Sequence, residues 1–285
     1  MASISKSVLI TGCSSGIGKA TALQLVKQGW KVYATARKMD SIQCLKETGC
    51  EILALDVTNE PSMQAAVSTI IKNEGAVGVL INNAGYSQSG AIETLPMESM
   101  RYQFETNVFG LVRLTQLVLP GMRAQKWGRI INIGSMGGRM TLPGGGAYHG
   151  TKYALEAISD ILRFEVKGFG IDVTLVEPGF IFTRFAETAL AKIQVNDEDG
   201  IYQKFNEKVL EMTERGYKDI LFTSIGGGPE VVARKITKAL NSNHPPFRIP
   251  VTFSAYLLMF LHDVVPDWFW DFGLQMFYFH PGKGD

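Results

Sequence analysis

Cysteine is scarce in this sequence, and neither sign of charge dominates it. Only Cys13, Cys44 and Cys50 occur among 285 residues; they make no even disulfide set, and none has a His or Cys neighbour at zinc-ligand spacing. The histidines at 244, 262 and 280 form no metal-ligand pattern either, so no metal site is expected. With 28 basic against 27 acidic residues spread along the chain, there is no electrostatic footprint for nucleic acid, and the ligand is expected to be small or apolar. Long hydrophobic runs are also missing. The apolar stretch 249–261 is well short of the roughly 20 residues of a membrane-spanning helix, and His262 and Asp263 end it. The first apolar run, 8–10, flows straight into a glycine motif, which predicts no signal or transit peptide. Together these absences predict a reduced, cytoplasmic setting.

What is present is rhythm. Short β-branched runs at 7–10, 31–36, 51–55, 77–81, 128–133 and 171–176 alternate with amphipathic stretches, among them 60 onward, 97–123 and 148–167. Strands that read as continuous apolar runs belong in a parallel sheet covered on both faces. The predicted class is therefore α/β, a Rossmann-type doubly wound parallel sheet in one domain. Residues 1–182 form its cofactor-binding and catalytic core. From 183 to 228 the rhythm breaks into a charged stretch too long for an ordinary connection, which reads as a substrate lid. A helix from Pro229, a last strand in PPFRIPV and an aromatic helical extension over 253–285 follow.

Between the first strand and helix stand Gly12, Ser14, Ser15, Gly16, Ile17 and Gly18 in TGCSSGIG. Glycines there permit a tight turn and close approach of backbone to a pyrophosphate, with the helix N-terminus facing the anion. Such a loop also serves purely steric turns; its position after the first strand favours a nucleotide. The end of the second strand chooses between the two nicotinamide cofactors, because a carboxylate there binds ribose hydroxyls and repels a 2′-phosphate. It reads Ala36-Arg37-Lys38, with no carboxylate. Arg37 offers a planar fork to a phosphate, Ser14 a second donor, and the expected cofactor is NADP(H). The alternative is that Arg37 and Lys38 form a solvated turn.

These motifs, with Asp56-Val57, Asn82-Asn83-Ala84-Gly85, Asn107, Ser135, Tyr148-His149-Gly150-Thr151-Lys152 and Pro178-Gly179 with Thr183, resemble in number and order the short-chain dehydrogenase/reductase family over about the first 185 residues. Within it the TGCSSGIG and VYATAR pair is similar to the branch holding 17β-hydroxysteroid dehydrogenases, retinol dehydrogenases and acyl-dihydroxyacetone phosphate reductases. The resemblance implies that Asp56 and Val57 lie by adenine, that Asn83, Ala84 and Gly85 pack beside the adenosine ribose, and that Pro178, Gly179, Ile181 and Thr183 hold the nicotinamide end. It also implies that Asn107 interrupts its helix and holds a water linking Lys152 to solvent.

Hydride transfer to a carbonyl leaves an alkoxide that must be protonated as it forms, so an acid is needed within reach of that oxygen. Tyr148 is the candidate. A free tyrosine titrates near ~10, and a neighbouring cation is needed to favour phenolate. Lys152 lies four residues on, one helical turn away on the same face, where it can act on the phenol and bind the nicotinamide ribose. Ser135 can stabilise the developing oxyanion. His149 points elsewhere on the helix and reads as structural.

The aromatic tail either lines a greasy substrate cleft or caps the core or a subunit contact, and its tryptophans allow peripheral membrane attachment. The function expected is NADPH-dependent interconversion of a carbonyl and an alcohol on a hydrophobic substrate, in a homo-oligomer. The competing reading is a non-catalytic NADPH sensor or scaffold, which has no reason to carry Ser135, Tyr148 and Lys152 together. An epimerase or dehydratase would have a TGxxGxxG loop and a longer chain. Replacing Arg37→Asp is expected to shift preference towards NADH; an unchanged ratio of kcat/KM for the two cofactors refutes the assignment.

Overall fold

Alternation along each strand decides which side chains meet which layer of helices. In the computed structural model, which describes residues 4–193, 200–219 and 224–282, β1 (Val8–Ile10), β2 (Val32–Ala36) and β4 (Val79–Asn82) are buried on both faces. Val8, Ile10, Val32, Ala34, Val79 and Ile81 join one core cluster, while Leu9, Tyr33 and Leu80 join the other. β3 (Glu51–Ala54), β5 (Gly128–Ile133), β6 (Ile171–Pro178) and β7 (Arg248–Val251) complete a seven-stranded parallel sheet in the order β3-β2-β1-β4-β5-β6-β7. The Rossmann-type doubly wound sheet expected from the sequence is present. The order runs outward from β1 in one direction and then from β4 in the other, so the crevice between β1 and β4 is the topological switch point.

Helices α1 (Gly16–Val26), α2 (Gln43–Lys46) and α3 (Glu60–Glu74) link the first four strands. The boundaries of α3 have local causes: Asn59 accepts a capping bond from Ser62 N at 2.9 Å, Pro61 sits in the first turn, and Gly75 ends it at φ 82°. The helix read over 97–123 is three pieces. α4 (Met97–Phe104) runs into a π-helical turn at Glu105–Phe109 before α5 (Gly110–Ala124). Such a turn inserts an extra residue and re-aims the chain. Here it presents Asn107 to the Tyr86 backbone and to Thr151. α6 (Gly146–Val166) starts two residues before Tyr148.

Among the described residues after β6 stand the helices α7 (Arg184–Leu190) and α8 (Gln203–Lys218); residues 194–199 and 220–223 of the expected lid lie outside the described residues. α9 (Pro229–Leu240) packs on α1, and α10 (Phe253–Val264) and α11 (Asp267–Gln275) form the aromatic extension. Among the described residues no helix is long and apolar enough to cross a membrane.

Gly110, just beyond the π turn, brings α5 against the loop that follows β3: a Cβ there would lie 2.2 Å from the Val57 carbonyl oxygen. Gly110→Ala is expected to destabilise the protein by about 1–3 kcal/mol through overpacking, read as a lowered urea midpoint; an unchanged midpoint contradicts this account of the packing.

Candidate active site

The strands β1 and β4 part at the switch point, and hydrogen bonds tie their loops together. Thr11 Oγ1 accepts from the backbone N–H groups of Asn83 and Ala84, both at 2.9 Å. The Asn83 amide donates to the carbonyls of Thr11 and Gly12 at 2.8 and 3.1 Å. Gly12 and Gly16 adopt φ of 73° and 58°, the left-handed region that favours glycine. Gly18 serves close packing: a Cβ would sit 2.5 Å from both the Asn83 amide nitrogen and the Gly12 oxygen. Ser15 caps α1 in an extended conformation without a side-chain capping bond, and the first turn of α1 has no acidic residue. The loop is thus shaped to leave N–H groups and a positive helix end facing outward, a fit for phosphate.

A cavity of about 1070 Å³ opens at the C-terminal ends of the strands. Its lining includes Gly12, Ser14, Ser15, Gly16, Ile17, Arg37, Asp56, Val57, Asn83, Ala84 and Gly85, together with Ser135, Tyr148, Lys152, Pro178, Gly179, Ile181 and Thr183. Three of the residues singled out in the sequence lie elsewhere. Gly18 is behind the loop for the steric reason just given. Lys38 is exposed beyond the lining, consistent with a turn residue. Asn107 is buried behind the wall, its side chain bonded to Tyr86 N and O at 3.2 and 3.0 Å and to Thr151 Oγ1 at 3.1 Å. Asp56 accepts from the N–H and hydroxyl of Thr58 at 2.9 and 2.8 Å, which orients its carboxylate.

Ser135, Tyr148 and Lys152 converge from the end of β5 and the first two turns of α6. Ser135 Oγ accepts from Gly137 N at 3.0 Å and hydrogen-bonds Tyr148. Lys152 Nζ donates to the Ile133 carbonyl at 2.8 Å and stands 5.7 Å from the Tyr148 ring centroid. Burial pushes the Tyr148 phenol up to about 12, with the Ser135 bond opposing. It also pushes the Lys152 ammonium down to about 8, with the Glu156 carboxylate opposing. The expectation that Lys152 brings the phenol down needs amending for the protein alone, because desolvation outweighs the other influences on the phenol.

His149 lines the cavity beside Tyr148, and both its ring nitrogens bond backbone groups. Its Nδ1 bonds the Gly137 carbonyl at 2.8 Å and its Nε2 accepts from Leu142 N at 3.2 Å, so it braces the loop carrying Ser135. Burial lowers its pKa. Much of the remaining cavity wall is apolar, with Met136, Met140, Phe180, Phe185, Leu258 and Trp270 among its residues, while Arg184, Lys192, Thr188 and Thr213 add polar groups to it. Phe185 of α7 lies 5.9 Å from the Tyr148 ring. In the extension, Leu258, Leu261, Phe269, Trp270, Phe277 and Tyr278 line the cavity, whereas Phe253, Tyr256, Phe260, Trp268 and Phe272 are exposed. Sequence reasoning missed Thr11 as a clamp, though it stands in the glycine motif. It also missed Phe180, Phe185 and Met140, which carry no local signal because distant segments bring them together.

Residues 6–194 match the family model described as short chain dehydrogenase. The 3-ketodihydrosphingosine reductase of Bacteroides thetaiotaomicron is 37% identical over 275 residues, covering 95% of this chain and 97% of that protein. Human retinol dehydrogenase 8 is 34% identical over 262 residues, covering 87% and 82%. The closed form of a serine dehydrogenase complexed with NADP+ superposes with a TM-score of 0.74 at 28% identity, covering 86% of this chain and 94% of that one. These relatives are oxidoreductases, and the sensor or scaffold reading finds no support among them.

Because the folded-state pKa of Lys152 is depressed from 10.5 to about 8, the unfolded chain binds the proton more tightly. The ammonium therefore costs stability below pH 8, and the cost fades as pH rises towards 10.5. Lys152→Met is expected to gain on the order of 2 kcal/mol at neutral pH in urea titrations of the cofactor-free protein. That advantage shrinks as the pH is raised through 8; a variant less stable than wild type at every pH contradicts the burial account.

Proposed function

This chain belongs to the short-chain dehydrogenase/reductase family, and we propose that within it the protein interconverts a hydrophobic ketone or aldehyde and its alcohol with NADP(H), Tyr148 serving as general acid and base. The observation that carries this reading is that Ser135, Tyr148 and Lys152 share one cavity with a glycine loop shaped for phosphate and with an apolar wall. When bound, the nicotinamide supplies or accepts the hydride.

The protein's own groups do the rest. Ser135 and Tyr148 hold the substrate oxygen by hydrogen bonds, and Tyr148 delivers its proton as negative charge develops there. Lys152, carried one turn later on α6, stabilises the phenolate that Tyr148 becomes. Asn107 fixes Thr151, the residue before Lys152, against the Tyr86 backbone. On the cofactor side, Ser14, Ser15 and the α1 N-terminus receive the pyrophosphate, Arg37 takes the 2′-phosphate, and Asp56 and Val57 border the adenine. Asn83, Ala84 and Gly85 border its ribose, and Pro178, Gly179, Ile181 and Thr183 border the nicotinamide. The lack of a carboxylate after β2 favours NADPH over NADH, and a cell that keeps this cofactor reduced drives the reaction towards the alcohol.

The apolar wall favours a lipid-, steroid- or retinoid-like substrate, in keeping with the sphingoid and retinol relatives. α7 and α8 act as the lid that excludes water over Tyr148. The exposed aromatic face of α10 and α11 touches a membrane surface from a cytoplasmic location, and Ile161 and Phe164, exposed on α6, give copies of the chain a face on which to pair.

Tyr148→Phe is expected to lower carbonyl-dependent NADPH oxidation by a factor on the order of 10³ or more while leaving NADPH binding intact, measured by loss of reduced-cofactor absorbance and by fluorescence titration. Retained turnover on a ketone that wild type reduces refutes the role.

A further inference from the structure

Directly behind Lys152, a second ionisable cluster lies outside the chemistry described above. Glu177, near the end of β6 and just before Pro178-Gly179, is fully buried, and neither of its carboxyl oxygens has a hydrogen-bond donor. Glu156, one turn beyond Lys152 on α6, is also buried, and its Oε1 lacks a donor too. The two carboxyl groups come within hydrogen-bonding reach of each other, with Arg248 Nε 3.2 Å from Glu156 Oε2 on their flank. Two carboxylates cannot face one another in this way without a proton on one of them.

The surroundings supply only partial compensation. Arg248 of β7 bonds Glu156 Oε2 at 2.8 Å and Asp160 at 3.0 Å, but its Nε is 3.9 Å from Glu177, too far for a hydrogen bond. Arg139 faces the pair from the loop after β5 and is itself paired with Asp263 of α10. Gly138 seals the helix side: a Cβ there would meet the Lys152 carbonyl at 2.9 Å and Glu156 Oε1 at 3.1 Å. A small cavity of about 440 Å³ is lined by Gly138, Arg139, Tyr153, Glu156 and Arg248, none of which lines the larger cavity.

We infer that Glu156 and Glu177 form one buried carboxyl pair that shares a single proton behind the active site and sets the charge of Lys152. Both are positioning residues, acting through the ammonium and touching neither substrate nor cofactor. The inference rests on the acid–base role proposed for Lys152. When the pair releases its proton to solvent through the small cavity, Glu156 is left fully ionised, and its negative charge, which acts on Lys152, favours the ammonium. In turn, the ammonium favours release of that proton. Burial and the Glu156 charge together push Glu177 up to about 7, which places the exchange in the neutral range.

The decisive measurement needs no turnover. Infrared difference spectra of the whole protein, with glutamate carboxyls labelled with carbon-13, follow the C=O stretch of a protonated acid as the pH is raised. One buried carboxyl band is expected to vanish with a midpoint near 7, to be missing in Glu177→Gln, and to persist about one unit higher in Lys152→Met, where the neighbouring positive charge is gone. No such band in wild type, or the same midpoint in Lys152→Met, overturns the inference. Where ketone reduction is measurable, folded Glu177→Gln is expected to move the alkaline limb of kcat about one unit lower. An unmoved limb removes the pair from catalysis. Absence of turnover in wild type would fault the proposed reaction and leave the infrared result standing.

Discussion

The site depends on how β1 and β4 are held where they diverge. A parallel sheet that winds outward in two directions leaves a crevice at the reversal, and its rims carry backbone groups that no strand partner satisfies. Thr11 and Asn83 satisfy them across the gap, each serving the other's loop. Gly18 admits the contact because any side chain there would collide with the Asn83 amide. The glycine loop is thereby fixed with its N–H groups outward, and the floor of the cavity follows from that geometry.

A second constraint is electrostatic. α6 carries an ammonium into a buried position beside a phenol, and desolvation acts against the charged form of both. The fold tolerates this because Lys152 has the Ile133 carbonyl as acceptor and the Glu156 carboxylate one turn away. Stability is thus lost at a buried polar site, a familiar trade between a strained polar environment and a comfortable apolar one. His149 shows the complementary case: an imidazole whose two nitrogens both bond backbone groups, holding the Ser135 loop in place.

The apolar half of the cavity has another origin. Its residues come from the loop after β5, from α7 and α8, and from the final two helices, segments with no sequence proximity. α10 and α11 present one face inward to the cavity and leave Phe253, Tyr256, Phe260, Trp268 and Phe272 outside.

By itself the sequence determined the α/β class, the parallel sheet, the phosphate-shaped loop and the pairing of Tyr148 with Lys152, because each rests on local periodicity or on spacing within one turn; Ser135 joined them through the family resemblance. The break at Asn107 was legible through family resemblance alone. Other features were beyond local reading: the π turn at 105–109, the retreat of Lys38 and Asn107 from the cavity wall, the Phe185 ring on Tyr148, and the meeting of Glu156 with Glu177. Tertiary structure decided these, since each depends on segments tens of residues apart being packed together, and it is packing that strips a carboxyl of water or turns one face of an aromatic helix inward.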